Sequence, residues 1–254
     1  NVVVPYTDHD YAVARPTIAI PPPRTPGGVI DLDGRFGLNP SLASLMPLWT
    51  EHKLAFIHAT GSPDATRSHF DAQDYMETGT PFSKGTESGW LNRAIGLMGH
   101  DATPFRAVSL TSSQPRSFYG NNATVSISDL NDFIIKGKQP ASMMNITAKS
   151  FEELYDQTTS GIIQQTGKET FEALKMLSAI DIKNYKPSNG AEYPKSSLGN
   201  SLKQIAQLIK ADVGLEIGFA ESTGWDTHFN QGKSNGIFAR NAADFSESIT
   251  ALWN

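Results

Sequence analysis

The strongest constraint on the fold is a unit that recurs along the chain: a short apolar run, a polar loop, then apolar residues at helical spacing. Residues 54–59 (LAFIHA) are closed by Gly61 and Pro63 and lead into the polar segment 66–79 (TRSHFDAQDYMETG). Residues 215–220 (LEIGFA) lead in the same way into 224–231 (GWDTHFNQ). Apolar runs of this length between turn residues read as buried strands. Alternation of strands and helices predicts an α/β domain, with a mainly parallel sheet flanked by helices. Ligands bind such sheets outside the carboxyl ends of the strands. Both polar segments follow a predicted strand, so they are expected on one sheet edge, and any chemistry is expected there.

The rest of the chain fills in this plan. The opening NVVVPYTDHDY reads as a strand end entering a loop, because Pro5 and a polar cluster follow three valines. Prolines and glycines between Pro21 and Gly28 rule out regular structure there. Asn39 with Pro40 marks a helix start, and Leu42, Leu45, Leu48 and Trp49 give its apolar stripe as far as Glu51. Ser68 and Asp71 form a variant capping box at the start of a helix reaching Met76. Helices are also predicted over 90–98, 198–210 and 237–253, and a strand over 107–110. Ser150 with Glu153 is a second capping box, opening a helical insert over about 150–180. The whole, residues 1–254, is expected to be a single α/β domain.

Composition narrows the function classes. A chain of 254 residues with 39% hydrophobic content can build a packed core. Its 21 basic and 26 acidic residues are spread without a basic block, which argues against a nucleic-acid partner. No apolar run approaches the roughly 20 residues of a membrane-spanning helix. With no cysteine, disulfides, thiolate metal sites and a cysteine nucleophile are excluded.

The two polar segments hold the candidate site. Asp226 and His228 are two apart, so in an extended loop they share a face and could reach one cation. A carboxylate with an imidazole suits Zn²⁺ or Mn²⁺ better than Ca²⁺. The simpler alternative is a turn capped by Asp226 with His228 on the surface. Ser68 falls at a helix N-terminus, where free N–H groups can support a hydroxyl nucleophile; the alternative is a helix cap and nothing more. Arg67 could hold an anionic group, and His69 or Asp71 could ligate metal or move a proton. Asn92 and Arg93, near a helix start, could bind phosphate or sulfate oxygens or simply belong to a solvated helix face. His58 ends a predicted strand, either towards the site or hydrogen-bonded in the core. Asn122-Ala-Thr and Asn145-Ile-Thr match the glycosylation acceptor pattern.

Taken in order, VVPYTDHDYAVARPTIAI, LAFIHATG, TRSHFDAQDYMETG, SGWLNRAIG, LKQIAQLIKADVGLEIGFA and GWDTHFNQ resemble a bacterial family, the domain of unknown function numbered 1501. That family resembles the alkaline phosphatase and sulfatase superfamily, whose members set paired metal ions beside a Ser, Thr or modified Cys nucleophile on a parallel α/β sheet. The resemblance implies Ser68 as nucleophile, with Thr66 in reserve, and Asp226 and His228 as metal ligands. It also implies twin-arginine export to the periplasm or cell envelope. The family's Gly-Gly-x-Asp-Gly segment before VVPY, and its later Ser-Glu-Phe-Gly-Arg and Thr-Asp-His-Gly regions, are not in residues 1–254. The fold and metal site are therefore expected to be incomplete at both ends: either the remaining part of the same protein supplies the rest as a partner, or residues 1–254 are inactive.

These features lead to an expected metal-dependent hydrolase acting on a small anionic phosphate or sulfate ester. The alternative is a non-catalytic envelope or surface-binding protein that keeps the fold.

Overall fold

The computed structural model describes residues 2–131, 176 and 185–254. In chain order its elements are β1 (Val3–Val4), α1 (His9–Ala14), β2 (Ile30–Asp31), β3 (Gly37–Leu38), a 3₁₀ helix (Pro40–Leu45) and α2 (Met46–Thr50). Then come α3 (His69–Thr78), α4 (Trp90–Leu97), β4 (Ala107–Ser109), a 3₁₀ turn (Arg116–Phe118), β5 (Val125–Ser126), α5 (Ser197–Lys210), β6 (Ile217–Phe219) and α6 (Ile237–Trp253). The chain divides into two compact units, one of residues 1–60, 187–203 and 221–254, the other of residues 61–186 and 204–220. The predicted insert over about 150–180, with its capping box at Ser150, lies outside the described residues, as does Asn145.

In the first unit, β1, β3 and β2 form a small antiparallel sheet with β3 in the middle, Val3 and Ile30 both facing Leu38. The turn between β2 and β3 is held by carboxylates: Asp31 accepts from Gly34 N at 2.8 Å, and Asp33 from Phe36 N at 2.7 Å. Asn39 caps the 3₁₀ helix by accepting from Ser41 N, as its place before Pro40 predicts. Leu38, Leu42, Leu45 and Leu48 then point into one core, each at most 6% exposed. Burial of this kind contributes about 1.5–3 kcal/mol per leucine. The wall opposite is α6, whose buried face is built of small residues, Ala239, Ala242, Ser246 and Ala251. Small residues let the helix backbone come close enough for Ser246 Oγ to donate to Ser41 O (3.1 Å) and Thr250 Oγ1 to Ser44 O (2.9 Å).

Two expectations change in this unit. The opening segment does enter as a strand, but residues 9–14 then form α1, capped by Asp8, which accepts from Asp10 N. Residues 54–59, expected to be a buried strand, pair with no other strand. The segment turns at His58 and Ala59, the latter at φ +54°, with Leu54 and Phe56 packed on the leucine core and Ile57 82% exposed. The apolar pattern fixed which side faces inward, but a strand also needs a neighbouring backbone to bond, and none runs beside it among the described residues.

The second unit carries the parallel sheet. β4 is central, with β5 and β6 parallel on either side: Val108 faces Val125 and Gly218. All three residues of β4 are fully buried, as a strand covered on both faces requires. Phe118 and Phe219 close one side at a centroid distance of 5.7 Å, with Ile95 and Leu91 of α4 beside them. In the part of α5 that belongs to this unit, Ile205, Ala206 and Leu208 are buried, while Ile209 is exposed. The chain is thus mixed α/β with a small parallel sheet, and the described residues hold one parallel and one antiparallel sheet. No helix among the described residues is long and apolar enough to cross a membrane.

Candidate functional site

The first polar segment is organised by side chains that accept from the backbone two or three residues on. Asp64 N donates to Ser62 Oγ, Thr66 N to Asp64 Oδ1, Ser68 N to Thr66 Oγ1 and Asp71 N to Ser68 Oγ, at 3.2, 2.7, 3.1 and 3.2 Å. Short polar side chains compete with regular backbone pairing in this way, which is why the segment stays irregular until α3 starts. Ser68 is the N-cap of α3 in extended backbone (φ −80°, ψ 118°). Its oxygen satisfies one orphan N–H, and its own proton is left to donate. At the far end Gly79 adopts φ +67°, and its N–H bonds Tyr75 O. A side chain there would also press on Trp90 Cβ at 3.0 Å.

The neighbours of Ser68 divide by environment. His69 opens α3 and is exposed, as is Arg67. Asp71 is engaged: its Oδ2 lies 2.9 Å from Lys84 Nζ. That hydrogen bond, helped by the charge of the carboxylate, raises the Lys84 pKa. The ion pair occupies one carboxylate oxygen of Asp71, which leaves Oδ1 as the oxygen it could offer a metal.

Asn92 and Arg93, expected to meet substrate, serve the fold. Asn92 is 1% exposed. Its Nδ2 donates to Phe118 O and Asn122 O (3.0 and 2.8 Å), and its Oδ1 accepts from Asn122 N and Nδ2 (both 3.1 Å). Arg93 uses Nη1 on Ser88 O and Nη2 on Thr78 O, at 2.8 and 2.6 Å. Arg116 is a second strap over the same loop, bonding Asp74 at 3.0 Å and the carbonyls of Glu87 and Thr86. The Asn122 amide, a glycosylation acceptor by pattern, donates to Asn92 O at 2.7 Å and is committed to this network.

In the first unit, the second polar segment is anchored at its start. Trp225 packs edge-on against Phe238 (5.5 Å) and Phe245 (6.4 Å), and its Nε1 donates to Ser222 Oγ. Gly224, at φ +82°, receives a bond at its carbonyl from Asn241 of α6 (2.6 Å). Beyond this anchor Asp226 and His228 meet: Asp226 Oδ1 lies 3.1 Å from His228 Nε2, both side chains exposed. In extended chain the spacing of two brings them to one side.

The pair fits a divalent ion by a simple test. Donors about 2.0–2.2 Å from an ion lie about 2.8–3.1 Å from each other at octahedral angles and about 3.3–3.6 Å at tetrahedral ones, an overall interval of about 2.8–3.6 Å. The observed 3.1 Å falls inside that interval, so a metal could replace the ion pair with little movement of either donor atom. A carboxylate and an imidazole suit Zn²⁺ or Mn²⁺. They supply two positions of a four-coordinate shell, with water or further donors filling the others. His58, expected to face either site or core, instead stacks on Phe36 (centroids 4.6 Å) and is exposed.

Sequence reasoning passed over one charged group in the second unit. His100 Nε2 lies 2.7 Å from Glu216 Oε1 and its Nδ1 2.8 Å from Met98 O, while Arg106 Nε sits 3.1 Å from Glu216 Oε2. Both histidine partners are acceptors, so the full set of bonds requires both ring nitrogens protonated. The Glu216 bond accordingly raises the His100 pKa, and the His100 bond lowers that of Glu216. No sequence motif signals a pair separated by 116 positions.

No protein-family model, curated protein or solved structure matches the chain.

Proposed function

We propose that the protein is a metal-dependent hydrolase of small phosphate or sulfate esters, exported to the periplasm or cell envelope. The observation that carries this is the Asp226–His228 pair, two donor atoms 3.1 Å apart and open to solvent. The resemblance of the ordered motifs to an exported bacterial family supports the compartment, and that family's resemblance to the alkaline phosphatase and sulfatase superfamily supports the reaction class. In this reading Asp226 and His228 hold the ion, Zn²⁺ or Mn²⁺, which when bound supplies Lewis-acid polarisation. Ser68 is the nucleophile, with Thr66 in reserve; Arg67 steadies the anionic oxygens, and His69 moves protons.

A second reading, a non-catalytic envelope or surface-binding protein, draws on a different observation. Ser68 caps a helix, Asp71 pairs with Lys84, and Asn92 and Arg93 hold loops, so each has structural work without any substrate.

The deciding experiment is hydrolysis of an aryl phosphate and an aryl sulfate by the purified chain, assayed with chelator and then with added Zn²⁺ or Mn²⁺. The hydrolase reading expects turnover restored by one of the metals and abolished by Asp226→Ala or His228→Ala. No turnover of either ester under any condition favours the second reading, and turnover indifferent to metal and to both substitutions refutes the metal assignment.

A further inference from the structure

The second unit contains a groove of about 820 Å³ between the loop preceding α4 and the segment after the Arg116–Phe118 turn. That is within the range of roughly 300–1,000 Å³ found for small-molecule sites. Its floor is the reciprocal Asn92–Asn122 pair, four hydrogen bonds of 2.7–3.1 Å between two side chains and their backbones. Gly120 above it has φ +146°, and a Cβ there would fall 2.2 Å from Asn92 Oδ1, so only glycine lets the wall close onto this floor. The groove is therefore built on a rigid base.

Its rim carries groups that the base does not use. Gln114 Nε2 donates to Phe118 O and Thr124 Oγ1, which fixes the amide and turns Oε1 over as an acceptor. Tyr119 is 42% exposed, and its ring is held by the Arg116 guanidinium 5.2 Å from the centroid. Glu87 and Asn121 are exposed on the lining, and their side chains join no hydrogen bond among the described residues. The one lining cation, Arg93, has Nη1 and Nη2 donated to Ser88 and Thr78 and is balanced by Glu87. Such a lining has no charge excess for a phosphate and no apolar wall for a lipid. Amides, a carboxylate and a half-exposed tyrosine suit a ligand that both gives and accepts hydrogen bonds and offers some C–H surface.

We propose that this groove binds a neutral, hydroxyl-rich ligand, a short oligosaccharide, through Glu87, Gln114, Tyr119 and Asn121. The site is independent of the metal pair and of any hydrolysis. The test is an NMR titration of the isotope-labelled full chain with three probes, cellotriose, maltotriose and chitotriose, and with inorganic phosphate as control. At least one sugar is expected to give saturable shifts confined to amides of residues 85–93 and 114–122. Gln114→Ala and Asn121→Ala are each expected to weaken that binding about tenfold, the loss of one to two hydrogen bonds, and Asn121→Ala, whose side chain bonds nothing among the described residues, to do so with an unchanged melting curve. No saturable shift with any sugar at about 10 mM, where a millimolar site is nearly full, would overturn the proposal. So would shifts at these residues with phosphate alone, or sugar affinities unchanged in both variants.

Discussion

Replacing Ser68 by two different residues separates its structural role from its proposed chemical one. The hydroxyl oxygen accepts from Asp71 N at 3.2 Å and is the side-chain cap of α3, a helix of ten residues that would be marginal alone. Ser68→Ala strands that N–H, and loss of an N-cap costs about 1 kcal/mol, within a range of roughly 0.5–2. In a domain of this size that lowers the melting temperature by about 2–4 °C. Ser68→Asn keeps a capping oxygen and removes the hydroxyl, so its expected loss is within about 0.5 kcal/mol of zero. Circular-dichroism melts and amide exchange over residues 71–75 measure the first effect, and ester hydrolysis measures the second. If Ser68 is the nucleophile, both variants are inactive while only the alanine is less stable. An asparagine variant that keeps its activity refutes the nucleophile; an alanine variant as stable as the parent, with unchanged exchange, refutes the cap energetics.

The His100–Glu216 clasp predicts a pH window. His100 has a raised pKa, so its contribution is full below the ordinary value of 6.5 and is lost as pH rises through the folded-state value. Glu216 has a lowered pKa, so its contribution is full above the ordinary value of 4.5 and is lost as pH falls through its folded-state value. Protection of the β4 and β6 amides, exchange relative to its intrinsic rate at each pH, should be greatest between those ordinary values, and His100→Gln should remove the alkaline limb; an unchanged alkaline limb in that variant contradicts the assignment. In the first unit, Ala242 is fully buried against the leucine core. Ala242→Leu should overpack it and cost about 1–3 kcal/mol in urea unfolding, whereas an unchanged midpoint would mean the helix stands further off than described.

What the sequence made legible was local. The ends of α6, residues 237 and 253, follow from a long amphipathic stripe, and the caps at Asn39 and Ser68 from a polar side chain just before apolar periodicity. The meeting of Asp226 and His228 is likewise set by a spacing of two in extended chain. What the sequence hid was non-local. Residues 54–59 form an apolar run of strand length, but the absent partner leaves no trace in them. Asn92 looks free at a helix start until Asn122, thirty positions on, is seen to occupy it. α1 was obscured because Asp8, its cap, sits in a polar cluster that reads equally well as loop.

The central claim is that Asp226 and His228 hold a divalent ion, and calorimetric titration of the chelator-treated chain with Zn²⁺ and Mn²⁺ tests it most directly. The expected result is one saturable site for at least one metal, with the His228 ring resonances shifting on binding and affinity falling at least about tenfold in both Asp226→Ala and His228→Ala. Heat of dilution alone with either metal, or binding that both variants retain at full strength, would contradict it.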